Sequence, residues 1–171
     1  DGFLSADDAR ELAGDVEDDG AVPPINQLLR EGDSILVQVA RDAFGDKGAR
    51  LTTTISLPGR TLIYTPYRTG VALSRRIVDE GERDRLTGIV NGLLEEDEGV
   101  IVRTNAEGAQ LKEFSDELDA LREVWRTVLR KADKLDAPST VHADLGAVAR
   151  AIRDYVSSPY TKLLIDNADT L

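Results

Sequence analysis

The chain has 171 residues, 41% apolar and 31% charged, a formal charge of −11, and neither Cys nor Met. That length buries a core or divides into two small domains, and the absence of thiols excludes disulfides and thiolate metal sites. No apolar run approaches the ~20 residues of a membrane-spanning helix and no signal-peptide pattern is present, so a cytoplasmic setting is expected. A sequence that starts at Asp1 and lacks Met reads as a piece of a longer chain, with its native start upstream.

In chain order, Gly2-Phe3-Leu4 reads as a strand end, and Ser5 with Asp8 three residues on caps a short helix that fades by Gly14. The acidic, Pro- and Gly-bearing stretch 15–24 (DVEDDGAVPP) is a loop, and Ile25 to Leu29 fits one helical turn. Ser34 to Asp42 alternates with Ile35, Val37 and Val39 on one face. The turn FGDKG (44–48) then leads into a returning strand from Ala49 to Leu57, so the pair predicts a β-hairpin. A third strand is expected at Arg60 to Thr65, a loop at YRTG (67–70), a helix at Glu82 to Leu94 and a short strand at Gly99 to Arg103.

The longest element is expected from Ala109 to Leu135, where Leu111, Phe114, Leu118, Leu121, Trp125, Val128 and Leu129 follow the helical period and place Trp125 in a core. A helix at Leu145 to Val156 and a strand at Lys162 to Asp166 close the chain. Strands come first and strand–helix alternation follows, which predicts an α+β to α/β protein. A hairpin-led β unit with an aromatic near its start is compatible with an OB-type barrel, a fold that binds single-stranded nucleic acid by stacking and a basic groove.

Net negative charge repels polyanions, yet its distribution is uneven. From Arg41 to Val78 there are seven basic residues (Arg41, Lys47, Arg50, Arg60, Arg68, Arg75, Arg76) and two acidic ones, a local +5 that leaves −16 elsewhere. The segment is either part of a phosphate-binding face or a set of arginines balancing nearby acids. Arg75 and Arg76 fit local pairing with the acids at 79–82. His142, the single histidine, has no partners that suggest a triad or a metal site.

The tracts GFL (2–4), DKGARLTTTISLPGR (46–60), LSRRI (73–77), GVIVRTNAEG (99–108), RDYV (153–156) and LLIDN (163–167), in this order, resemble the ribonuclease E/G family. The resemblance implies three parts: residues 1–53 as a partial OB-type RNA-binding domain, 54–138 as an α/β domain sensing the RNA 5′ end, and 139–171 as a helix–strand tail opening the second half of a ribonuclease H-like subdomain. It implies single-stranded RNA, preferably 5′-monophosphorylated, as the partner. The family's magnesium-holding carboxylates would lie downstream of Leu171. The parent would then be an endoribonuclease, with this piece binding RNA without cutting it and needing no cofactor of its own.

The resemblance places a 5′-phosphate pocket on Arg103 and Thr104, with main-chain groups of Gly59 and Ile63. It places RNA contacts on Phe3, Arg41 and Lys47. The chemistry suits those residues: a guanidinium grips two phosphate oxygens, a threonine hydroxyl adds a donor, and an aromatic ring stacks a base. The plainer alternatives are an Arg103–Glu107 surface pair, a tight turn at Gly59, a core Ile63, a core Phe3 and solvated turn cations at 41 and 47. The pocket expectation fails if Arg103 and Thr104 lie far apart or a carboxylate fills the spot. Two other functions remain: an acidic protein-interaction scaffold that keeps the fold without RNA, and a homo-oligomer formed by pairing of an open strand edge.

Overall fold

A computed structural model of the chain describes residues 2–13, 22–156, 162 and 164. Most of the expected strand at 162–166, the helix end at Gly14 and most of the acidic loop at 15–24 fall outside the described residues.

The first sheet has three strands in the order β1-β3-β2: β1 (Gly2–Phe3), β2 (Gln38–Arg41) and β3 (Ala49–Thr52). β2 and β3 are antiparallel, with a register irregularity between Val39 and Arg41, and β1 adds in parallel to β3. The hairpin turns through Gly45-Asp46, with Phe44 and Lys47 exchanging main-chain hydrogen bonds at 3.1 Å. Gly45 has φ +57°, at the first central position that a type II′ loop reserves for glycine. A 3-10 helix, Asp7–Ala13, follows β1. The Ser5 hydroxyl receives the Asp8 amide at 3.2 Å and donates to the Asp8 carboxylate at 2.6 Å. One turn of helix, α1 (Ile25–Leu28), sits where the sequence puts it.

The strand expected from Ala49 to Leu57 is two strands. It breaks after Thr52 because hydroxyls and a remote carbonyl take over its hydrogen bonds. The Thr53 amide donates to the Asp8 carbonyl at 2.7 Å, and both Thr52 and Thr53 hydroxyls donate to that same oxygen. The Thr54 amide turns back to Thr52 Oγ1 and its hydroxyl reaches Glu11. Short polar side chains offering the backbone such local alternatives end ladders. Gln38 then clamps Ser56, accepting from its amide and donating to its carbonyl, both at 2.9 Å.

Leu57 enters a second sheet of order β4-β5-β7-β6: β4 (Leu57–Pro58), β5 (Leu62–Thr65), β6 (Gly70–Leu73) and β7 (Gly99–Val102). β5 is antiparallel to β4 and β7, while β6 is parallel to β7. Parallel neighbours need a crossover, here α2 (Glu80–Asn91), capped by Asp79, which accepts from the Glu82 amide at 2.7 Å. The sequence reading had no strand at β6, having ended a loop at Gly70.

α3 (Leu111–Ala132) packs along β5. Its Phe114, Leu118, Leu121, Trp125 and Val128 repeat at four and three residues and are all buried, against Leu62, Val100 and Val102 of the sheet and Leu86 and Val90 of α2. Trp125 is core as expected and meets Tyr67 edge-on, with centroids 5.5 Å apart.

One charged pair lies inside this core. Glu98, just before β7, takes a two-pronged contact from Arg122 of α3 at 2.8 and 2.6 Å, plus the Tyr64 hydroxyl and the Glu95 amide, both at 3.2 Å. Arg122 also donates to the Leu93 carbonyl at 2.8 Å. Burial pushes the Tyr64 hydroxyl up to about 12, and the neighbouring Glu98 carboxylate adds to the shift. Finally α4 (Ala147–Tyr155) returns to the β4–β5 edge of the second sheet.

Candidate functional site

The β4–β5 turn, the end of β7 and the last turn of α4 meet. The turn is anchored by Glu117 of α3, whose carboxylate accepts from the amides of Arg60 and Thr61 and from the Thr61 hydroxyl. Gly59 is required there. Its amide donates to the Leu62 carbonyl at 2.8 Å, and a Cβ on it would run into Glu117 Oε1 and approach the Leu62 carbonyl to 3.1 Å. Gly59→Ala is therefore expected to cost about 1–3 kcal/mol, read as a lower urea midpoint with an unchanged slope.

Arg103 follows β7, its amide held by the Thr61 carbonyl at 2.8 Å. Its side chain is three-quarters buried, and Nη1 donates to the Gly59 carbonyl and to Asp154 Oδ1, the latter at 2.7 Å. Nε and Nη2 make no hydrogen bond among the described residues. Thr104 begins a short 3-10 turn (Thr104–Ala106), and its hydroxyl lies 3.3 Å from the Ser74 hydroxyl at the end of β6. Ile63, Ser74, Arg76, Arg103, Thr104, Asn105, Asp154 and Tyr155 line one cavity of about 570 Å³.

Three of the four expected pocket residues, Ile63, Arg103 and Thr104, thus share one cavity wall. Gly59 joins through its carbonyl, which orients Arg103, since its amide is committed to the turn. Ile63 stands in register with Pro58 on one side and Ile101 on the other, so its main chain belongs to the sheet.

The counter-ion of Arg103 is not Glu107 but Asp154, fifty-one residues away. This carboxylate meets in part the second condition on which the pocket expectation fails: Asp154 occupies one side of Arg103, so the recess is charge-paired rather than bare, while Arg103 and Thr104 stay together on one cavity wall. Asp154 takes only Nη1, however, and shares the cavity lining with Arg103 and Thr104. Arg103 first, and Arg153 beside it, hold the Asp154 carboxyl down to about 2, so it is ionised throughout the neutral range.

The basic stretch divides. Arg50 is bound two-pronged by Asp8 at 2.9 and 3.0 Å, and Arg68 lies 3.8 Å from Glu11. Those two balance acids. Arg75 and Arg76 make no ion pair among the described residues, and Asp79 is occupied capping α2. On the first sheet, Phe3 is in register with Arg50 and Arg50 with Arg41, so an aromatic and two guanidiniums form one rank across the strands. Phe3 is 63% exposed and not core, and Arg41 and Lys47 are exposed. Arginines directly opposed across strands repel, and here the Asp8 carboxylate on Arg50 offsets that repulsion.

Sequence reasoning missed Phe44, the hairpin-tip aromatic, which is 85% exposed; a large apolar residue inside a turn signal was the available clue. It also missed Ser74 and Asp154. Both fall in tracts that carry the family resemblance, LSRRI (73–77) and RDYV (153–156), but only the fold brings them to Arg103.

Comparisons with known proteins identify the family. The model of the ribonuclease E/G family matches residues 56–171. Ribonuclease G of Haemophilus influenzae is 38% identical over 146 residues, 85% of this chain and 30% of that protein. Ribonuclease G of Escherichia coli is 34% identical over 156 residues, 91% and 32% respectively. Ribonuclease E of Nostoc sp. is 35% identical over 147 residues, 86% and 21%. The chain spans about a third or less of the length of these relatives. The chain belongs to the ribonuclease E/G family.

Proposed function

We propose that this chain is the part of a ribonuclease E/G-type endoribonuclease that binds single-stranded RNA and senses a 5′-monophosphate. In this reading residues 1–53 are the OB-type RNA-binding portion, 54–138 the 5′ sensor, and 139–171 the start of the second half of a ribonuclease H-like subdomain. The observation that supports it best is the presence, in the lining of one cavity, of the Thr104 hydroxyl and of Arg103, whose Nε and Nη2 have no hydrogen-bond partner among the described residues. A terminal monophosphate carries more negative charge than an internal diester, so such a site favours the RNA end. The rank of Phe3 and Arg41, with Lys47 at the turn, suits a strand of RNA running across the first sheet.

Binding here orients RNA, and the cleavage chemistry belongs to a magnesium site elsewhere in the parent protein. Among the described residues no three His, Cys, Asp or Glu side chains are grouped to hold a metal.

Fluorescence anisotropy with 5′-phosphoryl and 5′-hydroxyl forms of one oligonucleotide tests the reading, and equal affinity for the two removes it. Arg41→Ala is expected to weaken both forms alike and to reduce the slope of log affinity against log salt by about 1. A second reading, a scaffold that no longer touches RNA, is favoured by the acids already seated on Arg50, Arg68 and Arg103. It predicts no salt-dependent RNA binding at all.

A further inference from the structure

We propose that Asp154 is a resident counter-anion of this site, offsetting the charge that Arg103 presents to an incoming 5′-phosphate and holding the site below the affinity its arginine can supply. The inference rests on the 5′-phosphate reading above and concerns what sets the strength of that site.

The carboxylate is not a stray surface contact. Oδ1 accepts from Arg103 at 2.7 Å and from Arg153 Nε at 3.1 Å, and Oδ2 lies 3.4 Å from Arg153 Nη2. The segment carrying it is pinned on both sides. Arg153 Nη1 donates to the Pro58 carbonyl at 2.8 Å, and Asn105 Nδ2 donates to the Asp154 carbonyl at 3.1 Å. Asp154 is also the penultimate residue of α4, where the helix presents its negative end and a carboxylate is disfavoured. Two guanidiniums offset that cost, and the anion stays ionised at every pH at which RNA would bind.

An arriving phosphate meets Arg103 with its charge offset by Asp154, while Arg153, outside the cavity lining, faces Asp154 and, at 3.9 Å, Asp144. The phosphate finds Nη1 engaged, so it takes the Nε–Nη2 edge against the repulsion of a carboxylate across the guanidinium. Positioning alone does not need the charge. The Gly59 carbonyl also holds Nη1, and an amide at position 154 keeps an oxygen in the same place. Charge and geometry are therefore separable by one substitution.

The experiment compares wild type, Asp154→Asn, Asp154→Ala and Arg103→Gln/Asp154→Asn in the full chain. The probes are 5′-phosphoryl and 5′-hydroxyl oligonucleotides of one sequence, read by anisotropy at several salt concentrations. Asp154→Asn is expected to tighten the 5′-phosphoryl RNA about tenfold and the 5′-hydroxyl RNA far less, with a steeper salt slope. The Arg103→Gln/Asp154→Asn protein is expected to lose the gain. Asp154→Ala, which drops the amide oxygen as well, is expected to keep part of it, and urea midpoints report whether each variant is folded. If wild type prefers the 5′-phosphate and Asp154→Asn binds it equally or more weakly, Asp154 only positions the arginine, and the proposal is overturned while the sensing reading stands. If wild type does not distinguish the two RNA ends, the sensing reading falls and this proposal with it.

Discussion

Replacing Arg122 by leucine is expected to destabilise the protein by about 3–5 kcal/mol, because it strands a buried carboxylate. Glu98 is 8% exposed, and Arg122 supplies two of its four hydrogen bonds. Desolvation raises the cost of its charge. The Arg122 hydrogen bonds, the Glu95 amide and the Tyr64 hydroxyl together outweigh that and leave Glu98 below its ordinary value of 4.5. The sign of the pH dependence follows. A carboxylate whose folded pKa is depressed contributes stability that is fully present above its unfolded value and is lost as pH falls through the folded one. Urea midpoints measured from pH 7 down to pH 3 are expected to fall on the acid side in wild type, and this dependence becomes shallower in Arg122→Leu. Glu98→Gln in the Arg122→Leu background restores part of the loss, since a neutral amide is cheaper to bury and still accepts from Tyr64. An Arg122→Leu protein as stable as wild type would show that water already reaches the pair.

Arg103→Gln is expected to erase any preference for a 5′-phosphate. Hydrogen bonds to a charged group contribute about 1.5–3 kcal/mol, which is roughly a 10- to 150-fold loss in affinity for the 5′-phosphoryl RNA. Arg103→Lys keeps the charge but not the planar fork, so it is expected to fall between the two. The 5′-hydroxyl RNA, lacking the extra charge, should respond little to either change. Anisotropy titrations give the affinities, and urea midpoints on the same proteins separate lost binding from lost fold. An Arg103→Gln protein that still prefers the phosphorylated end would move the site elsewhere.

What could be read from the sequence depended on how local its cause was. The stripe from Phe114 to Val128 is a periodicity within one helix, and it placed α3 and the burial of Trp125 correctly. The FGDK turn is four adjacent residues, and it closed where expected. β6 was missed because four residues, Gly70–Leu73, carry too little alternation to stand out, and their strand character comes from lying beside β7. The run from Ala49 to Leu57 looked continuous because Thr and Ser are good strand residues. What divides it is the Asp8 carbonyl, more than forty residues upstream. The site shows the same rule. Arg103 and Thr104 were legible as one tract, through a family resemblance. Their partners Ser74 and Asp154 come from other tracts, thirty and more residues away, so no spacing linked them to the arginine.

The hydroxyl-rich seam at Thr52–Ser56 has a consequence of its own. Apart from the Thr54–Glu11 contact, its bonds run between neutral alcohols, amides and carbonyls, so dissolved ions barely weaken them and protons hardly reach them. The arginines on either side work by Coulomb attraction and fade as ionic strength climbs. A brine strong enough to loosen the arginine–carboxylate pairs would therefore leave the joint between the two sheets as tight as before.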